Sequence, residues 1–262
     1  MQWLSSALIL LLSAIAVASD GDSFIRECAT DSETIPFAYC IHKPESTGST
    51  DFIYYLHGSN MSEMTWSEEF YYTAQIRAEW ARNGVAMPTV VSVSFGSIWL
   101  LAEPNSSAHG GLLPVFEQVV IPKIEAALGG VKGRRIVLGE SMGGFNSLQL
   151  ALKTRLFKKA AILCAPMADL SPFSDQPAID AYIQKSTAWH YYKDSNPQLV
   201  RSAVAEILGL VKAFFPRPAE WALADPLALA EGSSALDAPR LYVAAGYYDR
   251  FAAYEGNQMF AA

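Results

Sequence analysis

A chain of 262 residues, 51% hydrophobic with 17 glycines and 14 prolines, has the length for one globular domain of α/β size with a substantial core. Its formal net charge of −7, from 19 basic and 26 acidic side chains, leaves no cationic surplus for a nucleic-acid face and excludes nucleic acid as the main partner. The sequence has neither a Gly-rich phosphate loop nor a His/Cys/Asp cluster at ligand spacing, so no metal and no cofactor is expected.

The opening stretch, MQWLSSALILLLSAIAVASD, is a separate unit. Its apolar run from Ala7 to Val17 is short for a bilayer span, and Ala16-Val17-Ala18 has the small-x-small pattern of a cleavage site. Residues 1–19 are expected to be a signal peptide, although the segment before the run lacks Lys and Arg; an uncleaved anchor is the alternative. No later apolar run is long enough for a membrane span. Export to a secreted or periplasmic location follows. In that setting Cys28 and Cys40, which flank the polar turn TDSET, could close a disulfide across a hairpin, or else be two small buried side chains. Cys164, in the apolar AAILCAP, reads as inert core.

Further along, FAYCIHK and FIYYLHG are strand-like and separated by a Pro/Gly/Ser/Thr loop, residues 63–82 read as helix, and TVVSVSF is a short β-branched strand. Residues 112–128 carry apolar side chains at helical spacing, with Pro122 expected to kink or restart the helix. RRIVLGE is strand, SMGGFNSLQLALKT helix, KAAILCAP strand and APRLYVAAGYYD strand. Strands alternating with helices over this length imply a mostly parallel central sheet with helices on both faces. From about 167 to 236 no strand is evident; the amphipathic QLVRSAVAEILGLVKAFF and a set of aromatics read as a helical insertion, either ordinary packing or a lid that shapes a pocket. The globular domain is expected to run over 20–262.

Gly139-Glu140-Ser141-Met142-Gly143 fits G-x-S-x-G between a strand and a helix. A serine on so tight a turn takes a strained backbone conformation, and Gly139 and Gly143 must lack side chains to avoid collision. The turn lifts the hydroxyl above the sheet edge and leaves the Met142 N–H at a helix N-terminus, where negative charge is stabilised. The bland alternative is two glycines closing an ordinary βα turn. His57-Gly58 follows an apolar strand and opens a loop that can turn an amide toward the same point; Ser59 is the expected second donor, with Asn60 as substitute, and His57 is expected to bond within its loop and not to act as base. Asp249, after the strand LYVAAG, is a carboxylate that could orient an imidazole, with Asp169 as rival and a helix N-cap as the bland reading.

These residues resemble the α/β-hydrolase fold, and within it a serine esterase family that includes esterase D-like and feruloyl-esterase-like enzymes. YYLHG, GESMGG, ADPLAL and AAGYYDRFAAYEGNQMFA carry the resemblance, over about residue 35 to the end. It implies that Ser141 is the nucleophile, Asp249 the acid, and the Ser59 and Met142 amides the oxyanion donors. The substrate would be a small-molecule carboxylic ester, cleaved through an acyl-enzyme.

One element departs from the pattern. In this fold the triad runs serine, acid, histidine, yet His42, His57, His109 and His190 all precede Asp249. A histidine on a last strand beyond Ala262, with the C-terminal strand and helix lying outside the sequence, is one expectation. His109 or His190 standing in is another. A non-catalytic relative that binds a ligand is the third, and an acyltransferase using the same nucleophile is a further alternative to hydrolysis.

Overall fold

The computed structural model describes residues 24–31, 36–45, 48–68, 72–98, 111–166, 169–232 and 239–261. The expected signal peptide and His109 lie outside the described residues, as do both ends of the expected insertion, 167–168 and 233–236.

Among the described residues the strands are β1 (Phe24–Asp31), β2 (Phe37–Pro44), β3 (Phe52–Leu56), β4 (Thr89–Ser94), β5 (Arg135–Glu140), β6 (Lys159–Leu163) and β7 (Arg240–Ala244). They form one sheet in the order β1-β2-β4-β3-β5-β6-β7. β1 and β2 are an antiparallel hairpin, β2 runs antiparallel to β4, and every later pair is parallel. Cys28 and Cys40 are register partners in the hairpin and form a disulfide.

The central strands are apolar on both faces, as a parallel sheet covered on two sides requires. Tyr54, Leu56, Val91, Val93 and Val137 point to one face, where Phe116, Ile121, Ile124 and Leu148 pack on them. Their alternating neighbours Ile53, Tyr55, Val90 and Leu138 point to the other, against Trp66, Ile76 and Trp80. The two-residue period of the strands thus sorts one sequence into two cores.

The helices are α1 (Tyr72–Arg82), α2 (Leu112–Val115), α3 (Ile121–Ala127), α4 (Met142–Lys153), α5 (Gln176–Lys185), α6 (Thr187–Tyr192), α7 (Pro197–Phe214), α8 (Pro218–Ala222), α9 (Pro226–Glu231) and α10 (Ala253–Ala261). Between α2 and α3 lies a π turn, Phe116–Val120, so the restart expected at Pro122 takes this form: Pro122 falls in the first turn of α3. The wider turn gives room at the carbonyls that a proline ring would crowd. The helix predicted over 63–82 is instead a 3₁₀ turn at Thr65–Ser67, then α1; Glu68 between them is extended. Side-chain oxygens of Ser62 and Thr65 accept backbone N–H groups in this segment, which favours a turn over a helix. Helices α5 to α9 make up the insertion. No helix of the described residues is long and apolar enough to cross a membrane.

The reading of Cys164 as core is corrected. It is the first residue beyond β6, exposed, and has a left-handed backbone with φ 48°. The strand within that apolar run ends one residue earlier, at Leu163.

Candidate active site

The strands β3, β5, β6 and β7 end level with one another, because Leu56 pairs with Gly139, Glu140 with Leu163, and Leu163 with Ala244. The loops that follow therefore emerge together at the carboxyl edge of the sheet, the usual place for a ligand crevice in open α/β sheets. Backbone strain concentrates on these loops: the four non-glycine residues with positive φ among the described residues are Asn60, Ser141, Cys164 and Ala252, one after each of these strands. Such conformations cost on the order of 1–3 kcal/mol each, so packing must hold them.

At Ser141 the backbone has φ 47° and ψ −118°, and α4 starts at the next residue. Its amide donates to Leu163 O at 2.8 Å, which fixes the turn to the end of β6. A side chain at Gly143 would overlap the carbonyls of Leu56 and His57, and one at Gly139 would overlap the carbonyl of Gly143. The helix can approach β3 and β5 this closely only because both positions lack a Cβ. Ser141 is half-buried, and no described residue hydrogen-bonds to its hydroxyl.

The loop after β3 lies against this turn. His57 is buried, with Nδ1 2.7 Å from Gly58 O and Nε2 2.8 Å from Ser94 Oγ. Ser94 Oγ accepts from Gly96 N–H, so its own proton goes to Nε2, and Nδ1–H donates to Gly58 O. Burial holds the imidazole below its ordinary pKa, consistent with this neutral form. Both ring nitrogens are engaged, and His57 shapes the loop.

The amides of that loop can be accounted for one by one. Gly58 N–H donates to Glu140 Oε1, Asn60 N–H to Ser97 Oγ, and Met61 N–H to Gly58 O. Ser59 N–H is left without an acceptor among the described residues, as is Met142 N–H at the start of α4. Two amides without acceptors thus lie on the loops that meet at the strained serine turn.

On the other flank, Cys164 N–H donates to Ala244 O at 2.6 Å, tying β6 to β7 beside the serine turn. Asp249 follows, half-buried in a turn, and its Oδ1 accepts from Phe251 N–H at 2.8 Å. Burial pushes its carboxyl above the ordinary carboxylate range, against the opposing pull of the Phe251 and Ala253 amides. Asp249 thus holds a turn four residues before α10 begins, not the N-cap position of that helix, and stands at the same edge of the sheet as Ser141. Cys164 sits between the two flanks: although the residue is exposed, desolvation by the protein around its sulfur raises the thiol pKa, and the Asp249 and Glu140 carboxylates add to the shift. The rival Asp169 is exposed.

None of the described histidines bonds to Ser141 or Asp249. His42 is buried beneath β1, its pKa lowered to about 4 by burial with Arg26 and Arg77 adding to it; His190 is exposed on α6. No group of three or more His, Cys, Asp or Glu that could hold a metal occurs among the described residues. Glu140 is the residue that sequence reasoning passed over. A carboxylate on an otherwise apolar strand was the available signal, but its partners come from loops distant in sequence.

A strained serine at a strand-to-helix turn, on the carboxyl edge of a mostly parallel sheet with an acid two strands beyond, defines the α/β-hydrolase class. The family model described as "Putative esterase" matches residues 35–261, and the chain belongs to that family, whose chemistry is ester hydrolysis. No curated protein matches the sequence. The fold is shared with a fungal esterase from Rhizomucor miehei, at TM-score 0.58 and 18% identity over 93% of this chain and 70% of that one. Brefeldin A esterase, a bacterial homologue of human hormone-sensitive lipase, gives 0.58 and 16% over 95% and 66%. MPT51 of Mycobacterium tuberculosis gives 0.54 and 15% over 92% and 84%.

Proposed function

We propose that this esterase is a serine hydrolase that cleaves small carboxylic esters through an acyl-enzyme on Ser141. The observation that carries the reading is the pair of unsatisfied amides, Ser59 and Met142, beside a serine held at φ 47°. Ser141 Oγ attacks the acyl carbon and gives its proton to an imidazole base, while the new oxyanion takes the two N–H groups. The C–O bond to the alcohol then breaks and the alkoxide leaves with that proton. Water, deprotonated by the same imidazole, releases the acid and restores the serine.

In this reading Asp249 holds the imidazole by one nitrogen and stabilises its charged form. The described histidines do not fill that place. His109, which lies outside the described residues, is the candidate source in this sequence, and replacing it by alanine tests that role.

Helices α5 to α9 form the lid. They dock on the acid flank, where Tyr182 OH donates to Ala252 O and Thr187 Oγ1 to Tyr247 O. A small apolar cavity lined by Leu170, Tyr182, Val204, Leu208, Trp221 and Phe251 lies between the insertion and the loops after β6 and β7. Export is supported by the Cys28–Cys40 disulfide, which persists in an oxidising compartment.

A fluorophosphonate probe tests the reading. Labelling at Ser141 together with release of acid from an aryl ester is the expected result. A folded protein that neither labels nor hydrolyses would instead be a binding relative. Ester formation with an added alcohol, in place of free acid, would mark an acyltransferase.

A further inference from the structure

We propose that Glu140 is a positioning residue for ester hydrolysis: its buried carboxylate grips the Gly58 amide and thereby fixes the Ser59 N–H beside the serine turn. The inference rests on the reading of Ser141 as nucleophile and adds to it a residue that touches no reacting atom.

Glu140 ends β5 and is only 7% exposed. Its Oε1 lies 3.3 Å from Gly58 N and 3.4 Å from Tyr55 Oη, and Tyr55 Oη is 3.2 Å from Tyr72 Oη of α1. The carboxylate and the loop are built against each other: a Cβ on Gly58 would lie 3.2 Å from the same Oε1. Placing a charge here is costly, because a buried carboxylate loses its hydration and an apolar side chain of similar size would not. The cost is offset where the charge does work that a neutral group does less well, and a carboxylate accepts an amide hydrogen roughly twice as strongly as a neutral acceptor does.

What that bond accomplishes follows from the loop. Ser59 is flanked by two held amides, Gly58 by Glu140 and Asn60 by Ser97 Oγ. Asn60 keeps a left-handed φ of 63°, which no local rule enforces. Releasing Gly58 lets the Ser59 peptide rotate, and an oxyanion donor that turns away is lost to the transition state. Both Glu140 distances are longer than the usual ranges for such bonds, and catalytic hydrogen bonds that are long in the unliganded state commonly shorten when substrate binds.

The test uses the full-length protein with Glu140→Ala, Glu140→Gln and Glu140→Asp, an aryl ester for kinetics, and amide hydrogen exchange at Gly58. Glu140→Ala should lower kcat by about 10²-fold, as loss of alignment does, with KM within about threefold of the parent, and should speed Gly58 exchange. Glu140→Gln keeps an oxygen that reaches both donors but accepts less strongly, and should give a kcat between those of the parent and Glu140→Ala. Glu140→Asp keeps the charge but withdraws the reach, and should resemble alanine. A merely structural role would move the melting temperature of all three without the ordered change in kcat. The proposal is overturned if Glu140→Ala and Glu140→Asp keep parental kcat, or if the loss appears in KM alone. Should the parent neither hydrolyse esters nor label at Ser141, the nucleophile reading fails separately, and Gly58 exchange alone decides whether Glu140 holds the loop.

Discussion

The two flanks of the site are built in opposite ways. The serine flank is dense: Val137, Phe145 and Leu148 around it have no exposed surface, and Gly139 and Gly143 sit where any side chain would strike backbone. The acid flank is open. β7 has no partner on its outer side among the described residues, Tyr242 is 64% exposed, and Tyr247 and Tyr248 are exposed beside Asp249. The serine is placed by close backbone packing, within its own turn and against Leu56, His57 and Leu163. The acid is placed by docking over long range: the buried Asn257 side chain donates to Ala165 O at 2.8 Å, Tyr182 to Ala252 O at 2.6 Å, and Glu255 accepts from Thr187 N–H at 2.7 Å. A position that chemistry demands can thus be fixed by local sterics or by remote hydrogen bonds, and the two should respond differently to substitution.

The largest effect should come from Ser141→Ala, which is expected to cut ester turnover by roughly 10⁶-fold and abolish fluorophosphonate labelling while leaving the melting temperature near the parent's. Retained turnover in that variant would break the comparison at its root. Asp249→Asn should lower kcat by about 10⁴-fold without a matching loss of stability. Here the sign is definite. Burial raises the folded-state pKa of Asp249 above its unfolded value, so the ionised carboxylate costs stability at neutral pH, and that cost disappears as pH falls toward about 4. Thermal melts should show the Asn variant at least as stable as the parent at pH 7; a clear loss there would mean that its turn bonds outweigh its burial.

Gly143→Ala probes the dense flank directly. With the new Cβ forced into Leu56 O, a destabilisation of at least about 4 kcal/mol is expected, read by urea unfolding or as loss of soluble protein. A mild effect would mean that α4 can retreat from the sheet. His42 comes next, on the far hairpin edge. Its folded pKa of about 4 lies below the unfolded 6.5, so the stability due to the neutral ring is complete above 6.5 and declines as pH drops toward 4, by about 3 kcal/mol. His42→Leu should flatten that decline in pH-dependent melts. Smallest of all, Tyr242→Thr on the open edge of β7 should shift stability by no more than about 0.5 kcal/mol. A larger loss would show that this edge is covered in solution.

Much of this was legible before any coordinates. The glycine spacing around Ser141 reports a steric requirement within five residues, and alternation of strand and helix patterns reports the parallel sheet. The 3₁₀ break at Glu68 was not legible, because side-chain oxygens of Ser62 and Thr65 compete with helix in a stretch whose propensities do not forbid it. Cys164 misled for a related reason: apolar composition marks a strand but not the residue at which it ends. Glu140 was passed over because a carboxylate inside G-x-S-x-G has no meaning until Tyr55 and Gly58, some eighty residues earlier, are brought to it.

By itself the sequence determined the class of fold, the strained serine turn and the loop opened by His57 and Gly58, since each leaves a mark in short local patterns of glycine spacing and strand–helix alternation. Only the tertiary structure decided which amide of the loop after β3 is left without an acceptor, that Cys28 and Cys40 are joined, and that Asp249 reaches the serine's edge of the sheet. Those outcomes depend on hydrogen bonds between distant segments, and these exist only once the strands have taken their order and register.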